Sequence, residues 1–184
     1  MLVPGRGAIS FLVSHPDCPK TPVNFSKSCY STVVCGATEI GNIIEKLEAG
    51  GGRDLMITER GTSFGYNNLI VDMRAFPIMR RFGYPVVFDV THSLQLPGGL
   101  GDASDGQAEY VEHLARAGVA CGVDGLFMEV HDNPALALSD AATQLALDKL
   151  EPLLETLLKI HQLVRTSARG TEAPDEKERA VAAR

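Results

Sequence analysis

The sequence predicts an α/β fold on parallel strands, and three short stretches carry that prediction. Each is an apolar run that turns abruptly polar at its C-terminal end. They are Leu55-Met56-Ile57-Thr58 before Glu59-Arg60-Gly61, Val86-Val87-Phe88 before Asp89 and His92, and Leu126-Phe127-Met128 before Glu129-Val130-His131. Runs of this length fit strands buried on both faces, as in parallel sheets. Each is followed by a stretch at helical spacing, and strand–helix alternation favours parallel packing. Polar groups gathered at strand C-termini are what such folds present to a ligand. Periodicity leaves an open sheet and a barrel equally allowed.

The totals fit a single domain with a sizeable core: 184 residues, 45% of them hydrophobic. A complete eight-unit barrel usually takes about 250 residues, so the chain is short for one. A formal net charge of −6 with no dominant basic patch argues against a nucleic-acid or membrane-surface partner. The four cysteines, Cys18, Cys29, Cys35 and Cys121, form no C-x-x-C pair and no zinc-finger spacing. Ala8–Val13 is too short for the apolar region of a signal peptide, and no stretch has the length of a membrane span. Free thiols in a reducing cytoplasm are expected.

Residues 1–36 show no sustained period and remain unassigned, apart from a possible strand at Ala8–Val13 and a turn at His15-Pro16-Asp17. Residues 37–165 hold the α/β pattern. Thr38 opens a helix with Ile40, Ile43, Ile44 and Leu47 on one face, stopped by Gly50-Gly51-Gly52. After the first strand and a polar loop, Ile70, Met73, Phe76 and Met79 predict a helix over about 69–81, with Pro77 kinking or splitting it. A long glycine-rich loop, 91–104, follows the second strand, and loops of that length tend to be functional or mobile. Gln107–Ala117 reads as a helix, Gly118–Gly125 as a bend in which Cys121 is a buried small hydrophobe, and 132–142 as loop. Asp148 with Glu151 resembles a capping box for a last helix near Pro152, striped by Leu150, Leu153, Leu154, Leu157, Leu158 and Val164. From Thr166 the charged, small-residue tail, 166–184, is expected to be disordered.

Arg60 beside Gly61 suits a grip on phosphate or carboxylate, and pairing with Glu59 or Asp54 would account for it equally well. A lone loop histidine is normally structural, but His92 has company at the same end of the sheet. Glu129 and His131 stand two apart on one strand and so project to one side, and Asp140 lies in the next loop. Imidazole with carboxylates there can bind a divalent metal or act as acid–base groups, and structural ion pairs would explain the spacing nearly as well. His113 and His161 sit on predicted helices and read as structural. Gly98-Gly99-Leu100-Gly101 lacks dinucleotide spacing, which excludes a nucleotide cofactor.

Three strings taken together resemble the 3-deoxy-D-manno-octulosonate 8-phosphate (KDO 8-phosphate) synthase family: Thr58–Asn68 (TERGTSFGYNN), Phe88–Gln95 (FDVTHSLQ) and Phe127–His131 (FMEVH). Leu138-Ser139-Asp140 also fits, and the likeness runs from about Glu39 to Val164. The resemblance implies a (β/α)8 barrel of which roughly the C-terminal half is matched. It implies a transferase that condenses phosphoenolpyruvate with arabinose 5-phosphate and water, giving KDO 8-phosphate for lipopolysaccharide and inorganic phosphate. By the same resemblance Arg60 binds the phosphoenolpyruvate phosphate, and Gln95 lies near the sugar phosphate. His92, Glu129 and Asp140 would ligate a divalent Mn, Zn or Fe, or His92 and Asp140 would serve catalysis without metal. Asp105-Gly106-Gln107-Ala108 and Asp140-Ala141-Ala142 depart from the family pattern. Half a barrel leaves open sheet edges, so a homo-oligomer is expected. The rivals are a related phosphoenolpyruvate-dependent aldose synthase and a catalytically incompetent piece serving binding or assembly.

Overall fold

A computed structural model describes residues 9–14, 31–32, 40–52, 55–98 and 105–168. Its main sheet is built from β1 (Ile9–Ser14), β2 (Ser31–Thr32), β3 (Ile57–Glu59), β6 (Val86–Asp89), β9 (Gly125–His131) and β10 (Leu145–Ala146). β2, β3, β6 and β9 lie side by side in chain order and all parallel, with β10 also parallel to β9. A sequential parallel order belongs to a singly wound (β/α) array, the barrel arrangement, whereas a doubly wound sheet reverses its order part-way. Two hairpin-like pairs stand apart from it, β4 (Thr62–Ser63) with β5 (Leu69–Ile70) and β7 (Gln95–Leu96) with β8 (Asp105–Gly106).

The helices are α1 (Ile40–Ala49), α2 (Ala75–Arg80), α3 (Val111–Ala120) and α4 (Leu147–Ala168). Strand register divides the sheet residues into two rows. Ile57 pairs with Val86, and Phe88 with Leu126; this row, continued by Met128 and Val130, is buried in the core with α1–α4. Phe88 is fully buried, its ring centroid 5.1 Å from that of Phe76 in α2. α3 reaches the sheet through Gly118, where an added Cβ would stand 2.5 Å from Phe88 Cδ1. Only glycine permits that approach. The opposite row, Thr58, Val87, Asp89, Phe127, Glu129 and His131, carries the polar residues except Glu59, which is in register with Phe88.

Several expectations are revised. The strand expected at Ala8–Val13 is β1, which lies antiparallel along β9 from Ile9–Val130 to Ser14–Gly125, and β2 extends the sheet beyond β3, so residues 1–36 are not wholly irregular. Pairing with β1 satisfies backbone groups that β9 would otherwise leave open. The turn expected at His15–Asp17 and residues 99–104 of the long loop lie outside the described residues. The helix expected over 69–81 is instead β5 followed by the short α2. Asp72 intervenes, its carboxylate accepting the Arg74 backbone N–H at 2.9 Å and the guanidinium at 2.8 Å. That turn pulls Ile70 out of the helical stripe, and Pro77 falls in the first turn of α2, where its missing N–H costs nothing.

α4 starts at Leu147, directly after β10, so Asp148 is inside the first turn rather than the cap of a box with Glu151. Pro152 is accommodated inside the helix. α4 also runs past Thr166 to Ala168, which moves the start of the expected tail; the rest of 166–184 lies outside the described residues. Cys121 is exposed at the C-cap of α3, not buried: its neighbours are small and apolar, but the helix ends facing solvent.

Candidate active site

The polar row opens at the C-terminal ends of β3, β6 and β9, where the chain changes from apolar to charged residues. Asp89 is the last residue of β6 and is buried. The chain then turns through Val90 and Thr91 into one turn of 3-10 helix, His92–Leu94. That turn folds His92 back over Asp89, whose Oδ2 stands 2.8 Å from His92 Nδ1 and whose Oδ1 accepts the His92 backbone N–H at 3.1 Å. A carboxylate only accepts, so Nδ1 carries the hydrogen, and in the neutral ring Nε2 offers its lone pair. The ring stacks on Phe127 at 5.8 Å, which further fixes its plane.

Nε2 faces Glu129 Oε1 at 3.7 Å. Glu129 is placed by β9, and Thr91 anchors that strand by accepting the Glu129 backbone N–H at 3.2 Å. The carboxyl of Glu129 is pushed up by burial, against the pull of His92 and of the neighbouring Gln144 amide, while its buried Oε2 has no partner at hydrogen-bond geometry. His92 is held above the ordinary histidine value chiefly by its bond to Asp89, which outweighs burial.

Asp140 completes the group. Its backbone sits at φ +52, a conformation that aspartate tolerates better than most residues, in a tight turn closed by Thr143 N–H on its carbonyl at 2.9 Å. Gln95 Nε2 donates to Asp140 Oδ1 at 2.5 Å, and the Arg60 guanidinium donates to Gln95 Oε1 at 3.0 Å. Arg60 therefore turns toward the site and makes no pair with Glu59, which accepts instead from Gly61 N–H at 2.6 Å. Gly61 has φ +84 and packs against Leu69 and Ser93, so a side chain there would be both strained and crowded.

His92, Glu129 and Asp140 bring one ligand atom each within 4.8 Å of one another, the single such group among the described residues. One imidazole nitrogen and two carboxylates suit Mn²⁺, Fe²⁺ or Zn²⁺. The unpartnered Glu129 Oε2 and an outer carboxylate on His92 are what such a centre needs. The residues fit the metal. His131, on the same row, is not in the group: its Nδ1 accepts the Asn133 backbone N–H at 2.9 Å, beside Asp132 Oδ1. Thr91 and Gln144, both buried, were not legible as site residues; Gln144 donates to Ser139 O at 2.9 Å and steadies the turn that carries Asp140.

Glu59 is 4% exposed, and burial raises its pKa above the ordinary 4.5. A carboxyl with a raised folded-state pKa loses stability as pH climbs through that range, because the unfolded chain releases its proton first. Glu59→Gln should raise the melting temperature at pH 7, with the gain vanishing below pH 4, where the wild-type carboxyl is neutral in both states. Melting curves at the two pH values check this.

The sequence profile of the DAHP synthetase I family matches residues 18–166. The chain belongs to the DAHP synthetase I family. Curated relatives agree with the resemblance carried by the strand-end strings. The 2-dehydro-3-deoxyphosphooctonate aldolase of Trichlorobacter lovleyi is 54% identical over 127 residues, 69% of this chain and 47% of the relative. The protein of that name from Pelobacter propionicus is 55% identical over 127 residues, again 69% and 47%. That of Cyanothece sp. is 56% identical over 122 residues, 66% of this chain and 45% of the relative. The chain thus spans about half the length of the curated relatives it matches. Membership in the DAHP synthetase I family agrees with the sequential parallel sheet and its polar C-terminal face. No helix among the described residues is long and apolar enough to cross a membrane.

Proposed function

We propose that this chain is a sugar-acid phosphate synthase that joins phosphoenolpyruvate to arabinose 5-phosphate with addition of water. The observation that carries it is the convergence of Arg60, Gln95, His92, Glu129 and Asp140 on one face. In the reaction a bond forms between C3 of phosphoenolpyruvate and the aldehyde carbon, water oxygen adds at C2, and the phosphate leaves. Two anionic substrates call for fixed positive charge, and Arg60 presents a guanidinium whose Nε is buried and unpartnered. His92, Glu129 and Asp140 would hold a divalent cation, which supplies Lewis acidity or orientation to the aldehyde or the water. Asp89 keeps His92 Nε2 aimed at that position. The buried carboxylates give protons released during water addition a place to go.

The names of the curated relatives support the octulosonate product, as do the FDVTHSLQ and FMEVH strings. We place the chain in the cytoplasm as a homo-oligomer. Its exposed thiol at Cys121 supports the first, and the large exposed side chains Phe64 and Tyr66 the second. Mass spectrometry of a reaction with phosphoenolpyruvate and Mn²⁺ tests substrate choice. The eight-carbon product is expected from arabinose 5-phosphate; a product only with another aldose phosphate would favour a sister synthase.

A further inference from the structure

The two halves of the site are joined by one amide. Arg60 has only donors to offer and an ionised Asp140 only acceptors, so Gln95 fits between them in a single orientation. Its oxygen meets Arg60 at 3.0 Å, and its NH₂ meets Asp140 Oδ1 at 2.5 Å. Glutamate in its place would set a second carboxylate against Asp140, and an apolar side chain would leave both neighbours without this partner.

Two further features make the link consequential. Asp140 stands on a turn with φ +52, held by its own carbonyl and by Gln95 rather than by a strand. Arg60 keeps a buried Nε without a partner, so an incoming anion can take that N–H while the bond to Gln95 stays in place.

We propose that Gln95 is a positioning residue that ties anion binding at Arg60 to cation binding at Asp140, so that occupying one tightens the other. This inference rests on the proposed function, which supplies both ligands. An anion on Arg60 fixes the guanidinium, the guanidinium fixes the amide, and the amide holds the Asp140 carboxylate toward His92 and Glu129. Linkage requires the effect to be equal in both directions.

The test is Mn²⁺ binding to the purified chain, with free Mn²⁺ followed by its paramagnetic resonance, with and without inorganic phosphate. Wild type, Gln95→Leu and Gln95→Glu are compared. Phosphate is expected to tighten Mn²⁺ binding by about fivefold or more in the wild type, the lower range of measured couplings. In both variants the phosphate effect falls below about twofold, on the same scale, and in Gln95→Leu Mn²⁺ binding also weakens. Gln95→Glu retains a partner for Arg60, which guards against a variant that merely fails to fold. Wild-type Mn²⁺ binding indifferent to phosphate, or a phosphate effect of wild-type size in either variant, overturns the inference alone. No Mn²⁺ binding by the wild type overturns both the inference and the metal centre of the proposed function.

Discussion

Replacing His92 by alanine is expected to remove Mn²⁺ binding and to abolish phosphate release from phosphoenolpyruvate. The ring supplies the one nitrogen in the group, and the remaining carboxylates, Glu129 and Asp140, would meet a cation with two like-charged groups and no base between them. Losing even an outer partner of a metal ligand lowers affinity about 10–100-fold, so loss of the ligand itself should reach or exceed the upper end. Asp89→Asn gives the graded companion. An asparagine NH₂ turned toward Nδ1 would move the ring hydrogen to Nε2 and block the lone pair. Its effect should fall inside that range, with the fold intact by circular dichroism. Unchanged metal content in His92→Ala would end the ligand role.

Phe88→Ala carries the largest expected cost to stability. The ring is fully buried, packs against Phe76 in α2 and fills the space that Gly118 leaves on α3. Removing a buried phenyl ring costs about 3–5 kcal/mol. In a domain of this size that lowers the melting temperature by about 10 °C. Gly118→Val attacks the same contact from the other side and should cost about 1–3 kcal/mol by overpacking. The two changes share one space, so the double variant should be less unstable than the sum of the singles. Thermal melts of the three variants decide it; a shift under about 2 °C for Phe88→Ala would place the ring outside the cooperative core.

The strand ends were legible because an apolar run that turns charged admits few other readings. Val86 to His92 and Leu126 to His131 placed Asp89, His92 and Glu129 on the face where the structure has them, whereas Glu59 at the end of the first strand falls in the core row beside Phe88. Arg60 had two equal readings in sequence; it is bonded to Gln95 and not to Glu59, and Asp54 lies outside the described residues. Asp140 was read as a loop carboxylate near the strand ends, but its exact place was not legible, since it depends on a left-handed turn and on an amide 45 residues away in sequence. Glu129 and His131 share a side as expected, but His131 Nδ1 is taken by the Asn133 backbone N–H, a partner that strand geometry does not reveal.

The misreadings have a common cause, local signals outweighed by neighbours. Ile70 keeps helical spacing with Met73 and Phe76, yet the Asp72 turn and pairing with β4 put it in a strand. Asp148 and Glu151 have the spacing of a cap, but β10 delivers the chain straight into α4 one residue earlier. Gly118 looked like the start of a bend, and it is the helix residue that lets α3 touch the sheet.

One measurement bears most directly on the claim that this face is a working synthase site. It is inorganic phosphate released by the purified 184-residue chain from phosphoenolpyruvate, with and without arabinose 5-phosphate and with and without Mn²⁺. Release that requires the sugar and rises with Mn²⁺ is the predicted result. A folded chain that releases no phosphate under any of the four conditions would contradict it.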